Sequence, residues 1–556
     1  LTACLDRFSE AVLSWPPTAE KDGILKPKEI SIQQGPSGRP LLEYDGVAVH
    51  GPEDPFVQAG RWISGQVLPR AGLVAVLGLG LGYHLEALEE RRPGAGVVVW
   101  EPLEGAAELF RVHGSGRARE MVASGRVKVV ESLSQLKSEL GRRYVYGPGW
   151  LRLAALIPEG YQRLIPEAAE ELTEAVRLLI LRRDSNLKTI LRGRDQALAN
   201  LSRNLTRLLG LPEATSAQGA LAGVPAVVVA AGPSLDRNLE VLKRGWRKLA
   251  VISVGTVFKR LAAEGIQPDV AVMIEPRDRS AQVAGEKALA STILAASSLG
   301  HPAHLAQESL ATVVFHPEPW IASLVGDWPA VPDGGNVASA GFTLALLWGC
   351  DPIILVGQDL AYEDGRRYSE GAKSPENGPD QEGLTALPGQ TGGRVYASSE
   401  LVSYLSWYEE SAAYLARARP ELRLINATEG GAKISGFESL PLVESLPGPG
   451  APRPKAKEKL LQEYAGFKRD RDLVRLRLAR FRREAAGLEQ ALSEIPLEEM
   501  MVRLESSTFR SFLSHLIGPP PASDKDRTAL RTDLGMALEV LSGLAAQLQA
   551  EARAAW

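Results

Sequence analysis

Six short apolar runs dominate the middle of this chain: AVVVAA, LAVISVG, VAVMIEP, TILAASS, TVVFH and PIILVGQD. They fall between Val224 and about Gly436, and stretches with helical patterning separate them. Strand-like runs alternating with helices predict an α/β domain with a mainly parallel sheet. A second unit of the same kind lies upstream. LVAVLGLGLGYHLEALEERRPGAGVVVWEP reads as strand, Gly-rich turn, helix and a second strand ending at Glu101. Its order and spacing are those of a Rossmann-like βαβ unit.

The remaining segments complete a three-part layout. Residues 1–157 form the Rossmann-like N-terminal domain, 158–445 a central α/β domain with leading helices, and 446–556 an all-α domain. LPGPGAPRPKAKE (446–458) reads as a linker, and KLLQEYAGFKRDRDLVRLRLARFRREAAGLEQAL after it as one long amphipathic helix. Its arginines, 469, 471, 475, 477, 480, 482 and 483, read first as a solvated helix face. The segment IGPPPASD separates the helices that follow.

Composition narrows the function classes. A net charge of -4 over 556 residues gives no global reason to expect nucleic acid as partner. Cys4 and Cys350, the two cysteines, provide neither a disulfide framework nor a cysteine metal site, which fits a reducing compartment. No apolar run approaches the roughly 18 residues needed to span a bilayer. The start LTACLDRFSEAVLSWPP is amphipathic and charged, a poor signal peptide. The expectation is a cytoplasmic protein without a membrane span.

Two glycine turns are candidates for phosphate or nucleotide binding. Gly78, Gly80 and Gly82, with Glu101 at the next strand end, have the outline of a nucleotide fingerprint. A degenerate fold whose glycines only pack helix on strand is the favoured reading there. In AVVVAAGPSLD, Gly232 is expected to adopt backbone angles closed to other residues, and Pro233 to suit a first helical turn. Ser234 can cap the helix or donate to a phosphate or sugar oxygen. Other polar residues stand at strand ends or helix starts: Glu275 with Asp278, Gly334-Gly335-Asn336, Gln358-Asp359, and Asn426 to Lys433. Glu275 and Asp278 can hold a divalent metal or a sugar hydroxyl, or be plain surface. In one parallel sheet these ends are expected to converge on one cleft.

The blocks AAGPSLDRN, GIQPDVAVMIEPRD, GCDPIILVGQDLAY and NATEGGAKISGFE resemble the Maf family of motility-associated flagellin glycosyltransferases, as does GLGLGYHLE. The resemblance covers about 75 to 445. It implies transfer of a nonulosonic acid, pseudaminic or legionaminic in type, from a CMP-sugar donor to Ser or Thr of flagellin. No separate cofactor is implied, and a divalent metal stays open.

The central domain is also similar to bacterial sialyltransferases, whose Gly-Pro-Ser turn and Tyr-x-x-Gly-x-x-Tyr segment match Gly232-Pro233-Ser234 and Tyr362 to Tyr368. By that resemblance Tyr362 and Tyr368 donate to the departing phosphate. The turn, Gly334 to Asn336, Gln358 and Asn426 would hold the nucleotide. The sialyltransferases carry a histidine base after the second tyrosine. This chain has no histidine between His316 and His515, so Asp359, Glu275, Glu363 and Glu370 stand as candidates. His301, His304 and His316 match no such role. Two alternatives stay open. The central domain is also related to archaeal hydroxymethylpterin diphosphokinase, which implies ATP and Mg²⁺. The third reading is a non-catalytic flagellin-binding chaperone. The polar loop AKSPENGPDQEGLTALPGQTGGRV (372–395) is long enough to be a lid or an ordered excursion.

Overall fold

Four sheets, two parallel and two antiparallel, and a set of C-terminal helices build the described residues. The structure, a computed structural model, describes residues 30–49, 53–68, 72–145, 151–370, 384–448, 450–509 and 524–554. The segment LTACLDRFSEAVLSWPP, residues 372–383 of the polar loop and all of IGPPPASD except Asp524 lie outside the described residues.

The strands β1 (Ile30–Gln34), β2 (Pro40–Tyr44) and β3 (Val47–Ala48) pair antiparallel. The strands β4 (Gly72–Leu77), β5 (Gly96–Trp100), β6 (Val127–Val130) and β7 (Arg152–Leu156) form a parallel sheet in the order β6-β5-β4-β7. This is the Rossmann-like unit read from the sequence. The helix Pro166–Leu208 then leads away, with its first half packed on that sheet through Leu172, Val176 and Leu179. Its last turns, through Leu198, Leu201 and Leu205, join a different core.

The central sheet contains all six expected strands: β8 (Ala226–Val229), β9 (Ala250–Val254), β10 (Val270–Met273), β11 (Ile293–Ser297), β12 (Ala311–Phe315) and β13 (Ile353–Val356). A hairpin of β14 (Thr385–Pro388) and β15 (Arg394–Ala397) follows, then β16 (Leu424–Asn426) and β17 (Glu438–Ser439). The sheet order is β12-β11-β10-β9-β8-β13-β16-β17, and every pairing is parallel. Strands β8 to β11 and β13 are buried at every residue. Layers on both faces explain why their sequences run apolar without alternation.

The single long helix expected after the linker is two. Ala456–Ala465 packs on the central core through Leu460 and Tyr464, and Arg471–Glu494 starts afresh with Asp470 capping Leu473 N–H at 2.9 Å. Between them Arg469 leaves the solvated stripe and turns inward. Its side chain, 3% exposed, meets the Glu213 carboxylate at 2.6 Å and the carbonyls of Val325, Leu208 and Leu211. His316 bonds the same carboxylate at 3.0 Å. Burial pushes the pKa of Glu213 up, but His316 and Arg469 outweigh it and hold it below the usual range. Removing Arg469 would leave the buried carboxylate to His316 alone, a loss of up to about 3–5 kcal/mol. Of the other six arginines, Arg477 is half-buried on Ser323 O and Asp327, and the remaining five are exposed as read.

Candidate functional site at the switch point of the central sheet

Strand order places the site. From β8 the chain builds outward to β12, then returns through the buried helix Val337–Leu347 to lay β13 on the other side of β8. The C-terminal ends of β8 and β13 therefore flank the point where the order reverses, where open α/β sheets form their binding crevice. Gly232-Pro233-Ser234 follows β8, and Gly357-Gln358-Asp359 follows β13.

These two turns are bonded to each other. Gly232 N–H donates to Gly357 O at 2.8 Å. Ser234 N–H donates to Asp359 Oδ1 at 3.1 Å, and Ser234 Oγ to Oδ2 at 2.8 Å. Ser234 is fully buried and Asp359 is 3% exposed. Ser234 thus neither caps its own helix, Leu235–Gly245, nor faces open space; a carboxylate of the chain itself takes both donors. The expectation for Gly232 is corrected as well. Its φ is not in the left-handed region. Glycine is required because a Cβ would lie 1.9 Å from Asp359 Oδ2 and 2.5 Å from Gly357 O. Pro233 stands one residue before the N-cap rather than inside the first turn.

Burial pushes the Asp359 carboxyl up to about 7, with the charge of Glu363 adding and the two Ser234 bonds and Arg237 opposing. Around it the other predicted residues divide. Asn426 is fully buried and is a strut: its Oδ1 takes Thr428 N–H, and its amide donates to Gln390. Gln358 is 7% exposed, and its N–H donates to Thr428 Oγ1 at 3.3 Å. The Asn426 side chain is thus taken up within the chain. Glu363 is committed to Arg237 and to Gly431 N–H, at 2.9 and 2.8 Å. The segment 426–433 presses on the Asp359 backbone, where Ala432 N–H donates to Asp359 O at 2.7 Å. The hairpin β14–β15 belongs to the same assembly: Tyr362 N–H donates to Tyr396 O, and Gln390 N–H to Gly431 O. The latter part of the polar loop is therefore ordered structure tied to the site.

Tyr362 and Tyr368 are half-buried on either side of Arg367, a residue that sequence reasoning did not single out. The Arg367 guanidinium lies 5.5 Å from the Tyr368 ring and pairs with Glu400 at 3.1 Å, and its charge is felt by Tyr362 and Tyr404 too. Tyr404 donates to the same Glu400. Gly335 abuts Tyr404 and Gly334 abuts Trp407, so this glycine turn does reach the tyrosine cluster. Asn336 is the N-cap of Val337–Leu347, its Oδ1 accepting Ser339 N–H at 3.0 Å. Arg367 was visible in Tyr-x-x-Gly-x-x-Tyr itself. Glu400 and Tyr404 left only an i, i+4 pair on the helix Ser399–Ala418, a spacing too common to signal a site.

Glu275 is half-buried, and burial raises its pKa, with the nearby carboxylates of Asp333 and Glu400 adding. Glu318 is pushed up to about 7 by burial and by Asp333. Asp278 turns to Ser280 N–H at 2.9 Å and to His301, and the carboxylates acting on Glu275 are Asp333 and Glu400. Among the described residues no group of three or more His, Cys, Asp or Glu is arranged to hold a metal ion. Glu370 is exposed at the rim. The histidines are structural: His301 caps Ala303 N–H, His304 accepts Arg279 N–H and is held neutral by burial at about 4, and His316 serves Glu213.

Comparison with known proteins agrees with this architecture. Residues 197–365 match the family model of 6-hydroxymethylpterin diphosphokinase MptE-like proteins. The fold is similar to that of the Maf glycosyltransferase from Magnetospirillum magneticum AMB-1, with a TM-score of 0.54 at 19% identity, over 100% of this chain and 94% of that one. The resemblance to Maf proteins read from the sequence thus extends to the fold of the whole chain. No curated protein matches the chain. Among the described residues no helix is long and apolar enough to cross a membrane.

Proposed function

We propose that the protein is a glycosyltransferase that moves a nonulosonic acid from a CMP-sugar to Ser or Thr hydroxyls of flagellin. The observation that supports it is the arrangement at the switch point, where Arg367, Tyr362 and Tyr368 directly follow the Ser234–Asp359 pair, in a fold shared with a Maf glycosyltransferase. In this reading the acceptor oxygen attacks the anomeric carbon. The bond from that carbon to the phosphate oxygen breaks, and CMP leaves with the electron pair. Donors from the tyrosine hydroxyls and Arg367 meet the charge growing on the phosphate, an interaction stronger in the transition state than in the ground state. Glu275, half-buried and with a raised pKa, takes the acceptor proton. Asp359 lies behind Ser234 and holds the turn rather than touching the acceptor.

The match to MptE-like proteins favours a second reading, ATP- and Mg²⁺-dependent pyrophosphate transfer. Calorimetric titration of the full chain with CMP and with ATP, with and without Mg²⁺, separates the two. CMP binding that weakens about ten-fold or more in Arg367→Met, the loss of a charge-assisted bond, supports the first. ATP binding that needs Mg²⁺, with no response to CMP, overturns it. The intact mass of flagellin coexpressed with the protein and a sugar-biosynthesis pathway then tests transfer itself.

A further inference from the structure

The N-terminal glycine turn is also filled by the chain. In a nucleotide-binding βαβ unit the acidic residue ending the second strand takes ribose hydroxyls, while turn N–H groups face the ligand's oxygens. Here Glu101, just past β5, is 4% exposed. It accepts the Tyr161 hydroxyl at 2.6 Å, Leu79 N–H at 2.7 Å and Leu103 N–H at 3.0 Å. The same Tyr161 oxygen accepts Gly80 N–H at 2.9 Å. The phenol therefore donates to the acid and accepts from the turn, the two bonds that a ribose hydroxyl would make in that place.

Its ring lies against Gly78, where φ is 84° and a Cβ would come within 2.1 Å of ring carbon. Tyr161 comes from the short helix Glu159–Leu164, outside the βαβ unit, and is fully buried. A second polar group is directed at the cluster from β2. The Tyr44 hydroxyl, on a residue 1% exposed, lies near enough to Glu101 and Tyr161 to interact with both, yet has no hydrogen-bond partner among the described residues. A buried donor left unmatched costs free energy unless a ligand or water meets it.

We propose that the Gly78–Gly82 turn is a nucleoside-type site, arranged for a ribose hydroxyl between Glu101 and the turn, and that Tyr161 occupies it as a tethered ligand. The site stays closed to free nucleosides while the phenol is in place. This inference is independent of the transferase reading.

The test is calorimetry and thermal denaturation of the full chain and its Tyr161→Gly variant with p-cresol and with adenosine. The wild type should take up neither. The variant should bind p-cresol saturably, regain melting temperature with it, and bind adenosine. Adenosine binding to the wild type overturns the closed site. A folded variant that binds neither compound overturns the tethered ligand, and one that binds p-cresol but not adenosine overturns the nucleoside assignment. If Tyr161→Gly does not fold, Tyr161→Phe decides. It keeps the ring and removes the hydroxyl, so its melting temperature should fall while adenosine is still refused. A melting temperature equal to wild type overturns the proposal.

Discussion

The two glycine turns of this protein look alike in sequence and differ in what fills them. At Gly78–Gly82 the occupant is a neutral phenol, fully buried, whose hydroxyl both donates and accepts. At Gly232–Ser234 it is the Asp359 carboxylate, which takes two donors from Ser234 and has a pKa near 7. Displacing the phenol requires moving a whole ring out of a packed core. Releasing Ser234 requires only that a carboxylate take up a proton or shift. The first turn is therefore closed by packing, and the second by a charge that pH or a competing anion can alter.

The hardest test of this contrast is a methyl group at each turn. Gly78→Ala meets the ring of Tyr161 at a left-handed φ, and Gly232→Ala meets Asp359 and the Gly357 carbonyl. Each should lose about 3 kcal/mol in denaturant unfolding, at the upper end for overpacking. A neutral Gly232→Ala would show that Asp359 is free to leave. Next in size is Tyr161→Phe, which strips Gly80 N–H and Glu101 of a partner and should cost about 1–3 kcal/mol. Ser234→Ala should cost less, about 1 kcal/mol. The carboxylate it abandons can protonate near neutrality, which the Gly80 amide cannot.

The last prediction is a pH dependence, read as a slope per pH unit rather than as a fixed loss. Asp359 has its pKa raised from 3.8 to about 7, so the folded chain binds that proton more tightly than the unfolded chain. Its contribution to stability is full below about 3.8 and is lost as pH rises to about 7. Asp359→Asn should remove that slope, at most on the order of 1.4 kcal/mol per pH unit, in thermal or denaturant unfolding compared with wild type. Phosphodiester ligands that compete for Ser234, whose own charge is constant here, should bind less tightly as pH rises through this range in wild type, and evenly in the variant. Titrations at several pH values measure this; equal slopes in both proteins would assign the occupancy of the turn to other groups.

Much of this was legible in the chain. The six apolar runs are six strands because consecutive β-branched residues between helices suit a sheet covered on both faces. Gly-Pro-Ser pointed to the switch point because glycine and proline mark a turn after a strand, while Tyr362 to Tyr368 were singled out by the resemblance to sialyltransferases. The single helix after the linker failed because Gly466 and Asp470, which close one helix and cap the next, were passed over, and nothing local announces that Arg469 will be drawn inward by Glu213, 256 residues away. Asn426 was assigned to ligand because a polar residue at a strand end looks the same whether it faces a crevice or, as here, bonds Gln390 and Thr428.

The sequence by itself determined the strands, the turns and the segments they join, since these follow from periodicity and backbone sterics within a few residues. Tertiary structure alone decided what each turn holds. Tyr161 lies 81 residues from Gly80, and Asp359 lies 125 from Ser234. Hydrogen-bond donors at a turn are local, but the partner that satisfies them is chosen by which distant strand or helix the fold sets beside it.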